Sequence, residues 1–124
     1  MTDKRPEDVI AHLLTVLDEE PQDADASSAR AWLTELRAPL IAAGVNSLVS
    51  LTQGVAAGKT DQELARAMAQ LSPAQLVAVA QASARDLARL SDQAARQAGL
   101  WQLTKDKLTS GAASLLVRGL MLAL

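Results

Sequence analysis

His12 is the only histidine in the chain and the first place to look for acid–base or metal chemistry. An imidazole works as a general base only inside a pocket and beside an orienting partner. His12 lies next to Leu13, on the flank of an apolar helical stripe. The chain contains no cysteine, so it offers no thiolate nucleophile, disulfide framework or cysteine zinc site, and one histidine alone completes no standard transition-metal set. His12 therefore reads as a surface or boundary residue. Asp18, Glu19, Glu20, Asp23 and Asp25 form an acidic cluster. A calcium loop of the EF-hand type needs its ligands at fixed offsets around a glycine, closed by a glutamate, and that pattern is missing. The cluster reads as a solvated turn, and Leu13, Leu17, Glu19 and Glu20 are the candidate docking residues for a partner.

The segment Gly54-Val-Ala-Ala-Gly58-Lys59-Thr60 ends like a phosphate loop. The phosphate-cradling pattern has four residues between its glycines and follows a strand; here there are three, inside a helical pattern. Arg85, Arg89 and Arg96 recur at helical spacing and could touch phosphates. A pI of about 5.3, the lack of interleaved aromatics, and Asp86 and Asp92 among them argue instead for a solvated helix face and against nucleic acid. Serine and threonine are plentiful, yet no nucleophile elbow or Ser-x-x-Lys pattern occurs. No catalytic constellation, metal site or cofactor site is expected, and the chain reads as a non-enzyme.

A chain of 124 residues with 49% apolar side chains is one domain with a sizeable core. Phe and Tyr are absent, and Trp32 and Trp101 are the only aromatics. Richness in Ala, Leu, Gln and Arg favours helix over strand. The expected class is all-α, a bundle of five to six helices. Residues 1–25 carry two basic and eight acidic side chains, a net of −6, whereas the rest carries ten basic against six acidic, a net of +4. Residues 1–25 are accordingly read as an acidic N-terminal helix and linker, and 26–124 as the bundle core. The two charge blocks could attract each other within a chain or between chains. The N-terminus lacks an apolar secretory core, so the expected compartment is cytoplasmic. The Ala and Arg bias suits a bacterial, GC-rich genome.

The element that must organise the rest is 38–58, which is 21 residues long and uncharged between Arg37 and Lys59. Pro39 suits a first helical turn, and the spacing predicts a central helix over about 39–58. On a helical wheel Leu40, Ile41, Val45, Leu48, Val49, Leu51 and Val55 share one half. The other half holds Asn46, Ser47, Ser50, Gly54 and further small residues, also uncharged. A surface helix shows charge on its outer side, so this one is expected to be surrounded. Ser50, Gly54 and Gly58 form a small-residue stripe that would admit a close neighbour. The length suits a membrane span, but Asn46, Ser47, Ser50, Thr52 and Gln53 are costly in lipid, and a membrane is not the expected environment.

Around this element, 6–20 carries an apolar stripe through Val9, Ile10, Leu13, Leu14 and Leu17. A turn follows, with Ser28 as the expected cap of a short helix to Arg37 and a break before Pro39. Thr60 with Glu63, and Ser72 with Gln75, read as capping boxes. One long helix is expected over 73–98, with Asp92 and Arg96 paired along it and Gly99 as its terminator. From Ala112 the chain is apolar nearly all round, with only Arg118 charged; this last helix is expected to be buried, by the chain itself or by a partner.

The function that follows is that of a helical interaction protein, a homodimer or a small accessory or adaptor subunit acting through protein contacts. Its candidate helix-packing or interface residues are Asn46, Ser47, Ser50, Gly54, Gly58, Leu116 and Leu120. The alternative is a cavity for a small hydrophobic ligand or acyl chain, since a core without Phe or Tyr is short of bulky filler. A third reading is a membrane-active hairpin of 38–58 and 112–124.

Overall fold

Gly44 divides the uncharged stretch in two. In the computed structural model, which describes residues 5–21, 23–81, 83–90 and 92–123, Gly44 has φ 96° and ψ 172°. That backbone is open to glycine and strained for residues with a Cβ. Its N–H closes the helix before it on the Leu40 carbonyl (3.0 Å), and its carbonyl accepts the Leu48 N–H (3.2 Å). The single central helix expected over 39–58 is therefore two helices, Arg37–Ala43 and Val45–Ala56, with axes 114° apart.

The described residues form nine helices and no strand: α1 (Pro6–Glu19), α2 (Ala24–Glu35), α3 (Arg37–Ala43), α4 (Val45–Ala56), α5 (Thr60–Ala69), α6 (Pro73–Gln81), α7 (Ala84–Arg89), α8 (Gln93–Lys107) and α9 (Ser110–Ala123). The chain is all-α, as composition implies, but with shorter and more numerous helices than the five or six expected. The expected long helix over 73–98 is three pieces. Ser83 caps α7 in a reciprocal box with Asp86, and Leu90 turns extended after it. Asp92 then caps α8 by accepting the Ala95 N–H (3.0 Å). Asp92 is thus a cap and not the ion-pair partner of Arg96. Gly99 lies buried inside α8 and terminates nothing.

Other local expectations divide the same way. Ser72 and Gln75 make the reciprocal cap, with Ser72 N–H on Gln75 Oε1 (2.9 Å) and Gln75 N–H on Ser72 Oγ (3.3 Å). Thr60 does not cap α5; Lys59 occupies that position without a side-chain bond. Asp23, not Ser28, caps α2, accepting from the Ala26 N–H (2.9 Å). The break before Pro39 falls at Leu36, and Pro39 sits in the first turn of α3. Gly58, at φ 75°, ends α4 with two bonds, Gly58 N–H to Val55 O (3.1 Å) and Lys59 N–H to Gly54 O (2.8 Å), the pattern of a left-handed helix terminator.

The main core joins α1, α2, α3, α4, α7, α8 and α9 through Ile10, Leu13, Trp32, Leu40, Leu51, Leu87, Leu100 and Leu116 with their neighbours. Trp32 is fully buried, and its indole N–H donates to the buried Thr104 hydroxyl (2.9 Å), tying α2 to α8. A second, smaller cluster of Leu71, Val79, Ala95 and Ala98 lies under α5, α6 and α8. The last helix is buried against the chain's own α4, α2 and α1. No single helix among the described residues is long and apolar enough to cross a membrane; α3 and α4 pass by composition only when taken together across their bend.

Candidate functional site: the uncharged face of α4 and α9

The sequence-singled residues of α4 separate onto two sides. Ser47 is buried, accepts the Gln97 side-chain N–H (2.6 Å) and donates to the Ala43 carbonyl (3.3 Å). Gly54 is buried where α4 crosses α8: a Cβ there would stand 2.3 Å from the Trp101 ring. Asn46, Ser50 and Gly58 are exposed, so the stripe expected through Ser50, Gly54 and Gly58 is not one continuous seam. Thr52 is fully buried yet needs no neighbour, because its hydroxyl bonds back to the Leu48 carbonyl (3.0 Å). Such back-bonding lets a polar side chain sit in a core.

On α9, Leu116 and Leu120 are buried and belong to the main core. Their role is packing within the chain. The outer side of this helix is different. Met121 is 76% exposed and Leu122 79%. Met121, with Val117 and Leu120 beside it, meets Val49 and Gln53 of α4 around a small apolar pocket of about 150 Å³. Across Gln53 lies a second cleft of about 300 Å³, walled by Ser50, Gly54, Ala57 and the edge of Trp101, with Lys59 and Glu63 at its rim. The exposed strip over α4 is uncharged along its length, and Arg118 is the only charge on α9. Sequence reasoning missed Val49, Gln53, Val117 and Met121. The signal was available in the uncharged wheel of 38–58, but which side faced out depended on Gly44 and on where α9 docks.

The candidate docking residues on α1 fare differently. Leu13 and Leu17 are buried at 1% and 2% in the main core and offer no surface. Glu19 is exposed; Glu20 is half-buried at the helix end, its N–H on the Leu17 carbonyl (3.2 Å). Asp18 pairs with Arg30, so part of the acidic cluster holds α1 to α2. His12 is exposed beside Asp8, Val9 and Leu122. Among the described residues no three potential ligands gather for a metal ion, and no buried side-chain nitrogen or oxygen lacks a hydrogen bond.

The three arginines expected on one helix face also separate. Arg96 turns inward, donating to the Leu90 carbonyl from Nη2 (2.8 Å) and to the Ala42 carbonyl from Nη1 (3.1 Å). It thereby closes the ends of α7 and α3, where exposed carbonyls attract a cation. Arg85 and Arg89 stay outside. Asp86 between them is engaged by Ser83, whose backbone N–H (3.2 Å) and hydroxyl (3.1 Å) both donate to its carboxylate. Those bonds hold the Asp86 carboxyl below the usual carboxylate range, with Arg89 and Arg85 adding to the effect.

No protein-family model, curated protein or solved structure matches this chain.

Proposed function

We propose that the chain is a non-enzymatic interaction protein that self-associates through the α4–α9 face. One observation carries the reading: the outward strip of these two packed helices is uncharged along α4 and carries a single charge, Arg118, on α9, and no element among the described residues covers it. Met121 stands 76% exposed beside a small apolar pocket on the same strip. A knob and a hole on one surface are what a two-fold, isologous contact requires, since each copy presents both. Asn46, Ser50 and Gln53 would supply the polar part of such an interface. A heterologous partner with the same kind of apolar helix is the other form of this reading, and it leaves the chain as an adaptor or accessory subunit.

Light scattering across a concentration series tests the proposal. The expected result is a mass that rises to twice 13.0 kDa and returns to the monomer value in Met121→Asp, a change at an exposed site that leaves helicity intact. A monomer at every concentration overturns the self-association form.

The pocket beside Met121 also supports a second reading, a small hydrophobic ligand. Its volume of about 150 Å³ is below the roughly 300–1,000 Å³ of ordinary ligand sites, so it suits an anchoring side chain or short acyl end better than a whole ligand. Native mass spectrometry after gentle purification separates the two, because a co-purifying small molecule favours the ligand.

A further inference from the structure

A groove between α3 and α7 assembles what the sequence scatters. Arg37 comes from the start of α3, and Arg85 and Arg89 come from one side of α7; together they rim an open groove of about 540 Å³ whose floor includes Pro39 and Ala88. Arg85 and Arg89 are four apart on a six-residue helix, a like-charge spacing that opposes helix formation. Arg37 adds a third guanidinium from 48 positions upstream. Among the described residues none of the three forms an ion pair with a carboxylate. Two acids stand nearby: Asp86, hydrogen-bonded by Ser83 and attracted by Arg89 and Arg85 without an ion-pair contact, and Glu35, which also lines the groove and pairs with Lys107.

We propose that this groove binds an acidic peptide segment of a partner protein, with carboxylates spaced to reach Arg37 on one wall and Arg85 and Arg89 on the other. Guanidinium forks donate paired hydrogen bonds to carboxylates, and the apolar floor suits the aliphatic stems and backbone of a peptide. Nucleic acid fits less well, because no aromatic lines the groove for stacking. The groove shares no lining residue with the α4–α9 face, so this proposal stands or falls independently of self-association.

Titration of the ¹⁵N-labelled chain with acetylated hexaglutamate, followed by amide and arginine side-chain shifts, tests it. The expected result is saturable shifts confined to 34–43 and 84–90, which weaken as salt is raised. Arg85→Glu with Arg89→Glu is expected to weaken binding at least about tenfold, the size of one lost charge-assisted hydrogen bond. Arg66→Glu, on exposed α5, leaves it unchanged. A folded Arg85→Gln, Arg89→Gln pair gives the same loss should the reversed charges disturb α7. Absence of shifts at millimolar peptide overturns the proposal. So do equal shifts from hexalysine, retention of binding in both double variants, or inorganic phosphate alone reproducing the pattern, which would make the groove a small-anion site.

Discussion

The main core and the small cluster under α5 and α6 are built from different materials. The first is filled by Trp32, Trp101 and leucines from seven helices. The second has one leucine, one valine and two alanines, and α5 has no fully buried residue at all. Val77 on α6 is left 57% exposed. Large interdigitated side chains stabilise in proportion to the apolar area they remove from water, so the same chain carries a firmly packed half and a lightly packed one. Short helices with few buried contacts open at lower free energy than the global transition. The contrast is one of volume per residue and not of fold class.

The largest expected effect tests the firm half. Trp32→Ala is expected to cost about 3–5 kcal/mol, because it empties the centre and leaves the buried Thr104 hydroxyl without its indole partner. Val79→Ala in the small cluster is expected to cost about 1–2 kcal/mol and to raise hydrogen exchange in α6 before α2 or α9. Equal losses, read from denaturant unfolding, would erase the distinction. Next comes the α4–α8 crossing. Gly54→Leu is expected to cost roughly 1–3 kcal/mol by overpacking, since a Cβ alone already collides with Trp101. An unchanged unfolding midpoint would mean that the ring moves aside freely.

The smallest effect is local and pH-dependent. The folded carboxyl of Asp86 titrates below its unfolded value, so the α7 cap contributes fully above about pH 4 and is lost as pH falls through the folded pKa. Carbon chemical shifts of residues 84–89 are expected to drift toward coil in acid before those of 24–35 do. A simultaneous change in both helices would contradict the contrast.

These differences mark where the sequence was legible. Apolar periodicity identified Val9, Ile10, Leu13, Leu14 and Leu17 as one stripe; four of them are buried and Leu14 is half-buried. Helical class followed from composition. The breaks were harder to read. Gly44 lies in a run whose periodicity continues across it, and a glycine inside a helix costs only about 1 kcal/mol, so the pattern alone does not reveal a turn of 114°. Ser83 and Asp92 carry capping chemistry, but both also fit one continuous helix over 73–98, Ser83 on its inner side and Asp92 on its outer. The candidate surfaces depended most on tertiary placement. Nothing local states that Arg96 will turn to the Ala42 carbonyl while Arg37 replaces it beside Arg85 and Arg89. Leu13 and Leu17 show the converse: their stripe was plain, but whether it faced a partner or the chain's own core was decided by α9.

The corner between α8 and α9 is held by residues from far upstream. Ser28 donates to the Lys107 carbonyl (2.9 Å) and accepts the Thr109 N–H (3.3 Å), while Thr109 donates to Asp25 (3.0 Å). The corner is thus a lock whose two parts lie about 80 positions apart. Pairings of such separation are slow to close, because the chain between them must first surrender its freedom. In kinetic terms the corner is expected to close late in folding. Ser28→Ala would remove that latch, taking away at once the donor to the Lys107 carbonyl and the acceptor of the Thr109 N–H.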